Sequence, residues 1–95
     1  MIQIPLSAGA VNSHQTQFIQ LGENFLELRI NYVTLTKDWT VDVSREGVLL
    51  IGSMMLKADA EISFTYDAGI GRFFFIGTEA TLDNLGLDNA LVWYE

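Results

Sequence analysis

Ninety-five residues supply enough chain for one hydrophobic core and not for two, so residues 1–95 read as a single domain. Hydrophobic residues are 49% of the chain and charged residues 18%, a mixture that offsets chain entropy by burial and points to a folded rather than a disordered protein. Five Lys and Arg against twelve Asp and Glu give −7, which removes the basic stripe that direct nucleic-acid or anionic-lipid binding requires, and the lack of cysteine removes disulfides, zinc–thiolate sites and thiol nucleophiles.

In chain order, Met1-Ile2-Gln3-Ile4-Pro5 opens without a basic residue, the first Arg or Lys being Arg29, and without the apolar stretch of a secretory signal. The expectation is a product that stays in the cytosol where it is made. Gln15 to Leu21 reads as a weak strand, and Gly22-Glu23-Asn24 turns it into a much clearer one. There Leu26, Leu28, Ile30 and Tyr32 share one face while Glu27, Arg29 and Asn31 share the other, the period of a strand with one buried side. Trp39, Val41 and Val43 alternate with Thr40, Asp42 and Ser44, and Arg45-Glu46-Gly47 turns the chain into Val48 to Met55. The apolar run 48–56 is about half the ~20 residues that span a bilayer as a helix, so no transmembrane helix is expected. Lys57 to Glu61 reads as a loop, Ile62 to Tyr66 as a strand, and Asp67-Ala68-Gly69-Ile70-Gly71 as a turn before Phe73 to Ile76. An irregular connection over Thr78 to Asn89, with room for one helical turn, leads to the last strand at Leu91 to Tyr94. The sum is an all-β fold: a small antiparallel β-sandwich or partly open β-barrel of six to seven strands.

Side chains capable of chemistry are few. His14, the one histidine, lies between Ser13 and Gln15 and reads as a solvated loop residue rather than part of a triad. Gly69-Ile70-Gly71-Arg72 lacks the third glycine of a phosphate loop and runs into a β-type phenylalanine stretch, so a turn is expected there. Asp83-Asn84 and Asp88-Asn89 lack the ligand order of a calcium loop and read as turn and capping residues. Glu27 and Asp42 fall on polar strand faces, where solvated acids belong by default. The sequence therefore predicts no enzyme, no metal site and no cofactor. Trp39, Trp93 and Tyr94 offer one alternative: they could line the site of a small β-barrel ligand- or carbohydrate-binding module, although aromatic residues in strands more often pack in cores.

Two segments break the alternation seen elsewhere. In Val48 to Leu56 and Phe73 to Ile76 successive side chains are apolar, so both strand faces carry hydrophobic groups while one core covers only one of them. Strict alternation sets Leu49, Ile51 and Met55 against Val48, Leu50 and Met54, and Phe74 and Ile76 against Phe73 and Phe75. Leu49, Ile51, Met55, Phe73, Phe74 and Ile76 are the candidate partner interface, and which face of each strand points outward is left open.

A family resemblance goes further than composition and spacing. Ile4-Pro5-Leu6, the hairpin from Leu21-Gly22-Glu23-Asn24 through Ile30, Trp39-Thr40-Val41-Asp42-Val43, Gly47-Val48-Leu49-Leu50-Ile51-Gly52, Asn84-Leu85-Gly86 and Leu91-Val92-Trp93-Tyr94 occur in the order of these pieces in the small baseplate plug proteins of contractile-tailed bacteriophages, which the chain resembles over most of its length. It departs from them after Leu56, where Lys57-Ala58-Asp59-Ala60-Glu61 stands in place of a proline- and glycine-containing loop. The resemblance implies a virion structural protein without catalytic residues, assembled in the host cytoplasm into the tail baseplate near the tube and central hub. Its implied partners are other baseplate, hub or tail-tube proteins, or copies of itself, with no direct nucleic-acid contact and no membrane insertion.

Overall fold

The computed structural model describes residues 1–63 and 69–95. Its elements are β1 (Ile2–Ile4), a 3-10 turn (Ala10–Asn12), β2 (His14–Leu21), β3 (Asn24–Val33), β4 (Asp38–Arg45), β5 (Val48–Met55), β6 (Ala60–Glu61), β7 (Arg72–Gly77) and β8 (Asn89–Tyr94). Two four-stranded antiparallel sheets result, a meander β2-β3-β4-β5 and a second sheet in the order β1-β8-β7-β6. They face each other as a sandwich and do not close into a barrel. Among the described residues there are eight strands where six to seven were expected: β1 is an addition, and β6 forms inside the stretch read as a loop over Lys57 to Glu61. The expected strand at Ile62 to Tyr66 lies outside the described residues beyond Ser63, as do Asp67 and Ala68 of the following turn.

The meander follows the alternation. Leu26, Leu28 and Ile30 on β3 are fully buried, with Leu28 opposite Val43 and Ile30 opposite Val41 on β4. Strand β2 has the weaker pattern because Gln15 and Gln17 occupy inward-side positions at a sheet edge. Their amides serve the chain alongside: Gln15 Nε2 donates to the carbonyls of Ser7 (2.8 Å) and Asn12 (2.9 Å), and Gln17 Nε2 donates to Pro5 O (2.9 Å). These bonds tie the segment after β1 to the rim of the other sheet.

Both tight turns require positive φ. Gly22 stands at 62°, and Glu46 and Gly47 at 52° and 80° form a two-residue turn between the paired Arg45 and Val48, the pattern of type I′. A Cβ at Gly47 would meet no atom within 4 Å, so valine there tests backbone strain without a clash. Gly47→Val is expected to lower the unfolding free energy by roughly 1–2 kcal/mol in urea titration. An unchanged midpoint would mean that this turn does not hold the register of β4 and β5.

Strand β5 departs from strict alternation. Val43 pairs with Ile51 and Val41 with Met54, so Gly52 and Ser53 together face Asp42; a second shift leaves Leu50 as the extra residue between Leu49 and Ile51. Ser53 takes φ 54°, and its N–H donates to Asp42 Oδ1 at 2.6 Å. The bulges put Ile51 and Met54 into the core together, although strict alternation sets them on opposite faces. In β7 the alternation holds: Phe73 and Phe75 are fully buried, and Phe74 and Ile76 point outward.

The core is shared by the two sheets. Leu26, Leu28, Ile30, Val41, Val43 and Met54 meet Ile4, Phe73, Phe75, Leu91 and Trp93, with Leu85 and Ile70 closing it from the connections. Both tryptophans are buried with their indole donors satisfied, Trp39 Nε1 by Thr81 O (2.9 Å) and Trp93 Nε1 by Ile70 O (2.7 Å). Buried Ser63 accepts the N–H of Phe73 on its Oγ (2.9 Å). No buried side-chain N or O among the described residues lacks a partner, which leaves none held in reserve for a ligand. No helix among the described residues is long and apolar enough to cross a membrane.

Candidate interaction surface

The outer face of β1-β8-β7-β6 carries a hydrophobic cluster of its own. Val92 lies between the inward-facing Leu91 and Trp93, so its side chain points away from the core, yet it is only 2% exposed. It sits opposite Phe74 of β7 and Gln3 of β1. Phe74 meets Tyr94 edge to face with ring centroids 5.3 Å apart, and the Arg72 guanidinium lies 5.5 Å from the centre of the Phe74 ring. With Ile76 these residues line a shallow groove of about 300 Å³, in which Phe74 is half-buried and Ile76 and Tyr94 are exposed.

Two of the six residues in the candidate interface, Ile51 and Phe73, belong to the core and are not on the surface. Ile51 is turned inward by the bulges, and Phe73 has the parity of Phe75. Leu49 and Met55 are exposed, but on the outer face of the meander opposite Ser44 and Thr40, whereas Phe74 and Ile76 lie on the outer face of the other sheet. The expected set is thus divided between the two sides of the sandwich.

A third apolar feature was not signalled by the broken alternation. Phe18 and Phe25 occupy the polar faces of β2 and β3, in line with Thr16, Gln20, Glu27 and Arg29, and their rings stack 6.3 Å apart on the surface. Their mismatch with those neighbours is a sequence signal in itself, since a large aromatic residue on a polar strand face has no core to enter.

The polar candidates are occupied with local structure. His14 is exposed at the start of β2, and its Nδ1 lies 2.9 Å from Asn31 Oδ1, with no carboxylate partner among the described residues. Glu27 pairs with Arg29 at 3.0 Å, while Asp42 caps the bulge. Asn84 Oδ1 accepts the N–H of Thr81 (2.6 Å) and Asn89 Oδ1 that of Gly86 (2.7 Å), the turn roles expected for this stretch. Ile70, within the glycine-containing turn, is buried with its carbonyl committed to Trp93. No cluster of His, Asp and Glu among the described residues is arranged to hold a metal ion. The buried positions of Trp39 and Trp93 leave Tyr94 as the exposed member of the aromatic trio, so a carbohydrate-stacking platform built on all three does not exist.

Fold and surface together define a small β-sandwich protein whose outer faces, rather than a polar cleft, distinguish it. The chain belongs to the cyanophage baseplate Pam3 plug gp18 family, whose model matches residues 1–95. It is therefore a structural component of a phage tail baseplate, in agreement with the resemblance read from the sequence. No match was found among curated proteins.

Proposed function

We propose that the protein is assembled in the host cytoplasm and packs near the tail tube and central hub of the baseplate, acting through protein–protein contacts and without catalysis or nucleic-acid contact. The contact face in this reading is the outer side of β1-β8-β7-β6, centred on Phe74, Ile76 and Tyr94. The observation that carries it is Val92, an outward residue only 2% exposed that pairs with Phe74 and lines one groove with Phe74, Ile76 and Tyr94, which supports reading this face as a contiguous apolar surface rather than a set of scattered side chains. Leu49 and Met55, on the opposite side, provide a secondary contact for another baseplate, hub or tube subunit or for a second copy. The acidic balance of the chain favours partners with basic groups around these apolar centres.

The test replaces Phe74 by lysine, which places a charge at the centre of the face without entering the core. Phe74→Lys should retain its strand circular dichroism and fail to co-assemble when co-expressed with the proteins of the neighbouring genes. Assembly at the level of the unsubstituted chain would sink the proposal. Should the lysine unfold the protein, Ile76→Lys, further toward the edge of the groove and 45% exposed, carries the same comparison.

A further inference from the structure

The stacked phenylalanines on the meander form a second site with a different chemistry. Phe18 and Phe25 are 62% and 58% exposed and stand outside the hydrophobic core of the described residues, on the strand faces opposite to buried Leu21 and Leu26. They lie in a groove of about 440 Å³ whose rim includes Glu23, from the turn between β2 and β3, and Glu46, from the turn between β4 and β5. The other charged rim residues are engaged: Glu27 holds Arg29, and Arg45 Nη1 donates to Asn24 Oδ1 at 2.8 Å. Among the described residues, Glu23 and Glu46 make neither an ion pair nor a side-chain hydrogen bond. Two uncommitted carboxylates therefore flank an exposed pair of aromatic rings.

Carboxylates and ring faces attract the same kind of ligand, a cation, and between the two common ones they do so unequally. A guanidinium is planar and weakly hydrated, so it lies flat on a ring while donating to carboxylates; an ammonium is a compact, strongly hydrated point charge. The chain makes such a contact within itself on the other sheet, where Arg72 covers Phe74. We propose that the Phe18–Phe25 groove is a docking site for an arginine-bearing segment of a protein partner, with the guanidinium against the phenylalanine rings and Glu23 and Glu46 as its counter-charges. This site is on the opposite side of the sandwich from Phe74 and stands or falls independently of that face.

The experiment titrates the isotopically labelled protein with an oligo-arginine and an oligo-lysine peptide of equal length at one ionic strength, followed by NMR. The arginine peptide should bind about tenfold more tightly, with shifts centred on Phe18, Phe25, Glu23 and Glu46. Phe18→Ser with Phe25→Ser should abolish that preference while leaving weak binding of both peptides, and Glu23→Gln with Glu46→Gln should weaken both. Equal affinity for the two peptides, a preference that survives loss of the rings, or shifts centred elsewhere would overturn the proposal. So would dilution-dependent self-association lost in the serine variant, since a second copy would then be the occupant. If the serine variant does not fold, the glutamine pair decides: affinities unchanged by it reject the site.

Discussion

Leu28→Ala is expected to lower the unfolding free energy by roughly 2–5 kcal/mol, the range for truncating a fully buried leucine. Leu28 lies in β3, which has a strand on either side, and faces the second sheet with no exposed surface. Flanked by Gln17 on β2 and Val43 on β4, it sits where the backbone ladder is paired on both sides and has little freedom to collapse into a new void. For a chain of this length the loss is a large share of a total stability of about 5–15 kcal/mol. Arg29→Ala supplies the comparison: its side chain is 62% exposed, on the opposite face of the same strand, and pairs with Glu27, so a change within about 0.5 kcal/mol is expected. Chemical denaturation of the two variants reads the alternation directly, and equal midpoints would refute it.

Gly71→Ala should be nearly as damaging, for a reason that joins the core to the proposed contact face. Gly71 has φ 93°, a conformation costing a residue with Cβ about 1–3 kcal/mol. An added Cβ would also stand 2.6 Å from Trp93 Nε1 and 2.6 Å from the Tyr94 carbonyl oxygen, distances that cannot be kept. Moving Trp93 would break its bond to Ile70 O, a further loss of about 1 kcal/mol. Moving the backbone of Tyr94 would shift the ring that meets Phe74. The expected result is a loss of about 3 kcal/mol or more, with the Trp93 indole N–H resonance displaced and, on the proposed contact face, co-assembly weakened. Gly69→Ala, at φ 68° with no atom within 4 Å of the added Cβ, should show the strain alone. Equal losses in the two variants would mean that the approach to Trp93 is relieved at no cost.

Side-chain period explains which positions were legible in the sequence. Leu26, Leu28, Ile30, Val41 and Val43 alternate with polar residues, and a period of two leaves one register that buries them, so strand, face and core follow from the pattern. Two of the three turns of the meander were legible for an equally local reason, since Gly22 and Gly47 occupy conformations that glycine adopts without strain. Strands β1 and β6 gave no comparable signal: three and two residues long, they exist as strands because β8 and β7 are there to pair with them.

The candidate surface was legible only in part. The continuous apolar runs in β5 and β7 announced hydrophobic groups beyond what one core covers, and Leu49, Met55, Phe74 and Ile76 do face outward. Period alone misassigned Ile51, because a bulge moves a side chain to the other face and is settled by a cross-strand contact, here the Asp42 carboxylate on the Ser53 N–H. It also left the outward face of β7 undecided, since Phe73-Phe74-Phe75 reads alike in either register until β8 pairs with it. An all-β fold, the alternating core of the meander, its turns at Gly22 and Gly47 and, through the order of its motifs, the baseplate plug family are thus readable from local pattern. Where the apolar groups outside that core lie follows instead from strand pairing, which divides Leu49 and Met55 from Phe74 and Ile76, sets Val92 opposite Phe74 and stacks Phe18 on Phe25, because these are relations between strands and no strand carries them alone.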